Sequence, residues 1–200
     1  SVYRDTHPGH GYCAKLVTHI ETCKVLGIVN IKVLAAGSIY LGQMLEPITS
    51  TSNPMAKLDA GMRFTARPKA LMFDYKVKLA GQPNRIKETG FSKVKTVPGI
   101  DMCDCICLLQ KRLEDASFPI HYGDITHQPF YKPYMGLITG DDTKWAKNSK
   151  GKMVPVKEIG WAHADDIPTH LILQFDSSHG GAYIGSIGNT LWVDNVRMAY

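Results

Sequence analysis

Between Thr169 and Tyr200 the chain spells out two strands and the bend between them, and this leaves few folds open. Residues 169–178 (THLILQFDSS) form an alternating, largely apolar run that stops in a double serine. His179, Gly180 and Gly181 break it. Residues 188–200 (GNTLWVDNVRMAY) then carry a second run through Trp192, Val193, Asp194, Asn195 and Val196. Apolar and β-branched side chains suit a pleated, half-buried surface, and glycine and short polar residues suit the turns between strands. A last strand that returns to its sheet in this way closes a β-sandwich. No catalytic motif accompanies it.

The same pattern recurs upstream. In residues 69–79 (KALMFDYKVKL), Leu71, Phe73, Tyr75, Val77 and Leu79 face one way, and Met72, Asp74, Lys76 and Lys78 the other. Residues 12–20, 38–46, 101–109, 118–122 and 154–159 read as further strands. Helical spacing is weak. Residues 55–59 and 143–148 suit a helical turn or two at most. Breaks rich in proline and glycine fall at residues 51–54, 81–84, 97–99 and 165–168. The expectation is an all-β fold, an antiparallel sandwich or barrel, in one domain over residues 1–200. A chain of this size buries roughly 70% of its unfolded surface.

The 200 residues carry a net charge of +5, but the lysines are scattered. The densest runs, Lys144-Lys147-Lys150-Lys152 and Lys87-Lys93-Lys95, read as solvated loops, so no nucleic-acid partner is expected. The longest apolar stretch, residues 25–42, is interrupted by Asn30, Lys32 and three glycines and is not a membrane span. The sequence opens at Ser1 with neither methionine nor signal peptide, as expected of a mature, trimmed chain.

Of the five cysteines, Cys103, Cys105 and Cys107 alternate in residues 101–109 (DMCDCICLL) and so share one strand face. Strand neighbours at i and i+2 lie about 6.5 Å apart with parallel side chains, poor geometry for a disulfide. No C-x2-C pair marks a zinc site. They read as small core hydrophobes.

Five segments, in order along the chain, resemble one known family. They are residues 34–42 (LAAGSIYLG), 61–76 (GMRFTARPKALMFDYK), 101–109, 175–180 and 188–194. The first is similar to an A-A-G-x-(L/I)-(F/Y)-x-G segment, and the last to G-S-x-L-(Y/W)-V-D. The family is the putative carbohydrate metabolism domain of Bacteroides-type gut bacteria. Two positions depart from its pattern: Asp176 and Asn189 stand where it has serine. The resemblance implies a jelly-roll β-sandwich similar to carbohydrate-binding modules and to some glycoside hydrolases. It implies an exported protein, at the cell surface or in the periplasm, joined to a membrane only through a lipid anchor. Its partner would be a poly- or oligosaccharide. Jelly-roll sugar modules often hold a structural calcium near the sandwich edge, and Asp194 resembles a ligand in that position. No other cofactor is implied.

Sugars stack their apolar faces on aromatic rings and offer hydroxyls to polar groups. Tyr131, Tyr134, Trp145 and Trp161 are the candidate binding aromatics, whereas Trp192 reads as packing on the last strand. Glycoside hydrolysis needs two carboxylates about 5–5.5 Å apart for retention or 6.5–9.5 Å for inversion. Asp74 and Asp104 are the fallback catalytic pair, on the condition that their strands are neighbours. Ser177, His179 and Asp176 are adjacent in a turn and lack the G-x-S-x-G elbow of a serine hydrolase. The expected function is a non-catalytic, exported carbohydrate-binding or glycan-handling domain. The alternatives are a glycoside hydrolase on the same fold and a structural or adhesive surface module.

Overall fold

The computed structural model describes residues 1–7, 11–25, 29–44, 58–81, 85–110, 131–138, 145–147, 153–155 and 167–200. Regular structure among the described residues is entirely strand. In chain order the strands are β1 (Val2–His7), β2 (Gly11–Val17), β3 (His19–Val25), β4 (Val29–Ala35), β5 (Ser38–Tyr40), β6 (Gly42–Met44), β7 (Leu58–Ala60), β8 (Met62–Arg63) and β9 (Ala70–Lys78). They continue as β10 (Arg85–Lys87), β11 (Lys95–Thr96), β12 (Cys103–Gln110), β13 (Tyr131–Ile138), β14 (Trp145–Lys147), β15 (Met153–Pro155), β16 (His170–Asp176), β17 (Ile184–Ser186) and β18 (Thr190–Ala199).

Two sheets form the sandwich. Sheet I runs β1-β2-β18-β9 and sheet II runs β13-β12-β16-β5, with β8 also paired to β16. Every one of these pairings is antiparallel. The fold is an all-β antiparallel sandwich, as the strand pattern predicts, and it is consistent with the jelly roll that the family resemblance implies. Smaller pairings, β3 with β4, β6 with β7, β14 with β15 and β11-β10-β17, flank it.

The core lies between the inner faces. Sheet I contributes Leu16, Leu191 and Val193; sheet II contributes Cys103, Cys105, Leu171, Leu173 and Phe175. Phe73 meets Phe175 edge-on, with ring centroids 4.9 Å apart and planes at 77°, the arrangement aromatic quadrupoles favour. Leu71, Phe73, Val77 and Leu79 pack inward as the alternation of residues 69–79 predicts. Tyr75 shares their register but sits near the sheet edge, 37% exposed.

Asp101 ties the turns at one end of the sandwich. Its carboxylate is buried and accepts hydrogen bonds from Ser178 Oγ (2.8 Å), the Ser186 amide (2.8 Å), Asn189 Nδ2 (2.9 Å) and the His179 amide (3.3 Å). A buried carboxylate survives only when its lone pairs are satisfied in this way. Asn189 Oδ1 also accepts the Ala80 amide at 2.8 Å, so one side chain links the approach to β18 with the end of β9.

The structure corrects several local readings. Residues 12–20 are not one strand, because the chain leaves sheet I at Thr18 and starts the β3–β4 hairpin. Thr18 is fully buried there, its hydroxyl 2.8 Å from Ser177 Oγ. Neither suggested helical turn forms where the chain is described. Residues 58–60 pair with β6, and residues 145–147 pair with β15, so ladder hydrogen bonds replace the local ones. Residues 118–122 lie outside the described residues.

Candidate functional site

Alternation on sheet I sends Leu16, Leu191 and Val193 inward and their sequence neighbours outward. The antiparallel registers then line the outward residues into rows. Tyr3 lies opposite Lys15, Lys15 opposite Trp192, and Trp192 opposite Lys76, so one row crosses all four strands. In the next row Asp5 lies opposite Cys13 and Asp194 opposite Asp74. An aromatic and cationic row thus runs beside an acidic one.

Trp192 organises this face. Its indole Nε1 donates to Asp5 Oδ2 at 2.9 Å, although β2 separates their strands. To reach that far the indole must lean across β2. It thereby shelters Cys13, which is buried although it points away from the core. The Lys15 and Lys76 ammonium groups stand 5.5 and 5.0 Å from the Trp192 ring centroid, within cation–π range. Lys15 also approaches Asp5 Oδ2 at 3.3 Å. The Trp192 hydrogen bond, the Thr6 amide and Lys15, in that order, hold the Asp5 carboxyl down at about 2.

Beside the indole is a shallow cleft of about 80 Å³, lined by Asp74, Tyr75, Lys76, Trp192, Asp194 and Cys13 among others. A β-bulge shapes its floor: the β18–β9 register shifts between Asp194 and Arg197. Asn195 takes the left-handed conformation there (φ 50°), one that asparagine tolerates better than most residues. Its amide donates to Asp194 Oδ1 at 2.8 Å and its Nδ2 to Asp74 Oδ2 at 2.7 Å. The bulge therefore fixes two facing carboxylates. Such directly opposed strand residues have Cβ atoms about 4.5–5.5 Å apart.

The fallback pair Asp74 and Asp104 is separated. Asp74 lies on β9 in sheet I and Asp104 on β12 in sheet II, so the condition of neighbouring strands is not met. Each instead faces another aspartate, Asp74 opposite Asp194 and Asp104 opposite Asp176. Asp104 and Asp176 are buried, and a hydrogen bond joins their carboxyl groups. Ser38 Oγ donates to Asp176 Oδ1, and Gln174 Nε2 to Oδ2 at 2.6 Å. Burial raises the Asp176 carboxyl above its ordinary range, and the hydrogen bonds from Ser38, Asp104 and Gln174 oppose that shift. The Ser177, His179 and Asp176 group is dispersed: Ser177 Oγ contacts Thr18, and His179 Nδ1 accepts the Met102 amide at 3.0 Å.

Of the candidate aromatics, Tyr131 and Tyr134 lie on β13 at the margin of sheet II, and Trp145 lies on β14. Trp161 lies outside the described residues. Trp192, read from sequence as packing, lines the cleft together with Tyr75. The signal for it was present, since it shares its parity with Asp194 and opposes that of Leu191 and Val193. Calcium takes six to eight oxygens. Asn195 already engages both Asp74 and Asp194, and among the described residues no group of three or more His, Cys, Asp or Glu gathers to hold a metal.

The family described as "Putative carbohydrate metabolism domain" matches residues 2–199. The chain belongs to this family. Two solved structures resemble the putative carbohydrate metabolism domain seen here. One is a putative glycoside hydrolase from Bacteroides thetaiotaomicron VPI-5482, with a TM-score of 0.65 and 22% identity, over 100% of this chain and 56% of that one. The other is a putative glycoside hydrolase from Bacteroides vulgatus ATCC 8482, with a TM-score of 0.60 and 17% identity, over 99% of this chain and 76% of that one. The chain thus spans just over half of the first neighbour and about three quarters of the second, and these likenesses are of fold. No curated protein matches the sequence. Both departures from the family pattern are built into this domain, Asn189 as a partner of Asp101 and Asp176 as a partner of Asp104.

Proposed function

We propose that this domain binds a glycan without cleaving it, in the cleft beside Trp192 on the outer face of sheet I. The observation that carries the reading is the cleft itself, where an aromatic wall, two fixed carboxylates and a lysine converge on one open space. Carboxylates and ammonium groups are strong partners for sugar hydroxyls, and an indole offers an apolar face. The family description supports a role in carbohydrate metabolism. Export to the cell surface or periplasm, with a lipid anchor, belongs to the same proposal.

Calorimetry with plant and host oligosaccharides tests it. Losing a charge-assisted hydrogen bond costs about 1.5–3 kcal/mol, or roughly 10- to 100-fold in affinity. Asp74→Ala is expected to weaken binding by that factor. Wild-type affinity in this variant, or no binding of any glycan by the native protein, would overturn the reading.

A second reading is hydrolysis, favoured by the Asp104–Asp176 pair, whose protonated carboxyl has the form of a general acid. Both groups are only 5–6% exposed, which bars a glycosidic oxygen in this conformation and ranks catalysis second. Release of reducing sugar that disappears in Asp176→Asn would reverse the order.

A further inference from the structure

A second surface feature shares no residue with the lining of the cleft. β10 and β11 form a hairpin around residues 88–94, and its register sets Lys87 directly opposite Lys95. Opposed strand residues have Cβ atoms about 4.5–5.5 Å apart, and like charges there repel. Lys93 is exposed in the loop between them. Among the described residues no carboxylate pairs with any of the three. In the same loop Phe91 and Val94 are 65% and 54% exposed, and Ile100 follows at 49% in the turn after β11. We propose that this hairpin docks the domain on an anionic lipid bilayer, with Phe91 and Val94 entering the interface and Lys87, Lys93 and Lys95 meeting the headgroups. The contact is independent of the glycan-binding reading. It adds a surface of the domain itself to the lipid anchor that the family resemblance implies.

The loop is held at its base, so the exposure of its tip is built in. The Glu88 carbonyl accepts the Leu34 amide and the Glu88 amide donates to the Tyr183 carbonyl, both at 3.0 Å. Gly90 takes the left-handed conformation (φ 79°), and its amide donates to Glu88 Oε1 at 3.0 Å. A Cβ on Gly90 would lie 2.7 Å from Ile31 Cβ, so the loop is pressed onto β4 there. Residues 91–96 beyond it are all exposed. Arg85 Nη1 donates to the Pro98 carbonyl at 3.1 Å and fastens the turn that presents Ile100.

The charges on neighbouring elements leave the three lysines unopposed. Glu88 is buried against the Gly90 amide, and Asp101 is buried with the four donors described above. On the face of the β3–β4 hairpin that Gly90 meets, Glu21 lies opposite Val33 and is held by Ser1 Oγ and His19 Nε2, each at 2.7 Å. Strand alternation turns Lys24 and Lys32 to the other face of that hairpin. β17, on the other side of β10, brings only Ile184, Gly185 and Ser186.

Apolar side chains at a tip ringed by lysines match a bilayer, whose acyl boundary takes the first and whose acidic headgroups take the second. A sugar needs hydrogen-bond acceptors as well as donors. Here the nearby carboxylates are engaged, and the Thr89 and Ser92 hydroxyls bond each other at 3.1 Å. A stable protein interface takes roughly 20–30 residues a side, far more than one loop and one turn supply.

Co-sedimentation with lipid vesicles tests the proposal. The protein should bind vesicles containing about 30% phosphatidylglycerol at about 0.1 M salt, leave them as the salt rises towards about 0.5 M, and bind pure phosphatidylcholine about tenfold less or weaker still. Lys87→Gln and Lys95→Gln made together should weaken binding about 30-fold. Phe91→Ser should weaken it about tenfold or more, and Phe91→Leu, which keeps an apolar tip, should bind as the wild type does. All three positions are exposed, so the variants should keep the wild-type thermal midpoint. No retention on anionic vesicles, equal retention on both kinds, or retention indifferent to Phe91→Ser overturns the proposal. Calorimetry with polygalacturonate identifies the other occupant: binding there that needs the lysines, with none to anionic vesicles, would assign the hairpin to an acidic polysaccharide and likewise overturn the bilayer contact. None of these outcomes bears on the cleft beside Trp192.

Discussion

Asp176 shows how one substitution in a family pattern changes the physics of a site. Serine would leave Asp104 facing a hydroxyl; aspartate makes it face a second acid across neighbouring strands. A hydrogen bond between two carboxyl groups needs a proton on one of them, and burial favours keeping it. The folded chain therefore holds a proton at pH values where the unfolded chain, with its ordinary value of 3.8, has released it. Stability from this pair falls as the pH rises above 3.8, until the folded carboxyl has itself ionised. Asp176→Asn removes the titrating group and retains hydrogen-bonding capacity. Urea unfolding between about pH 4 and pH 8 should show the variant gaining on the wild type as the pH rises. A constant gap would mean that the pair holds no displaced proton. Asp5 carries the opposite sign: its contribution is present above 3.8 and is lost as the pH falls towards about 2.

At the scale of elements, the join between the sheets hangs on Gly37. It sits between β4 and β5, where its carbonyl accepts the Ser177 amide and its amide donates to Ser177 Oγ, both at 2.9 Å. A Cβ at this position would collide with backbone atoms of Ser1, Leu16 and Val17. Backbone cannot rotate away as a side chain can, so Gly37→Ala is expected to cost about 1–3 kcal/mol in urea unfolding. An unchanged midpoint would show that the sheets can separate locally at no cost. The sequence made β9 easy to read because one face meets the core and the other solvent, which stamps a period of two on residues 69–79. Thr18 gave no such cue. It fits the alternation on either side, and the switch from sheet I to the hairpin depends on Ser177, distant in sequence. The site was legible in the same divided way. The outward position of Trp192 follows from Leu191 and Val193, but the facing of Asp74 by Asp194 is a matter of register between β9 and β18, separated in sequence by β10 to β17.

Across the whole molecule, the cysteines report on whether the sandwich is closed. Cys13, Cys103 and Cys105 are buried, Cys107 is partly so, and Cys23 is exposed. Burial pushes the thiols of Cys103 and Cys105 well up and that of Cys107 to about 11, so few thiolates form near neutrality. In the native protein a thiol reagent at neutral pH should modify Cys23 within minutes, and Cys103 and Cys105, in the core between the sheets, only at the rate of unfolding. Mass spectrometry of the timed reaction checks this, and rapid labelling of Cys103 would show that the core opens far more readily than its packing implies.

The position of β18 between β2 and β9 has a consequence for biosynthesis. A ribosome releases β2 and β9 well before it reaches Thr190, and until then each offers a bare row of amides and carbonyls to any passing nascent chain. Pairings this distant in sequence also form slowly. The yield of this domain in a cell should therefore follow translation speed and the supply of holdase chaperones more closely than it follows the stability of the finished product.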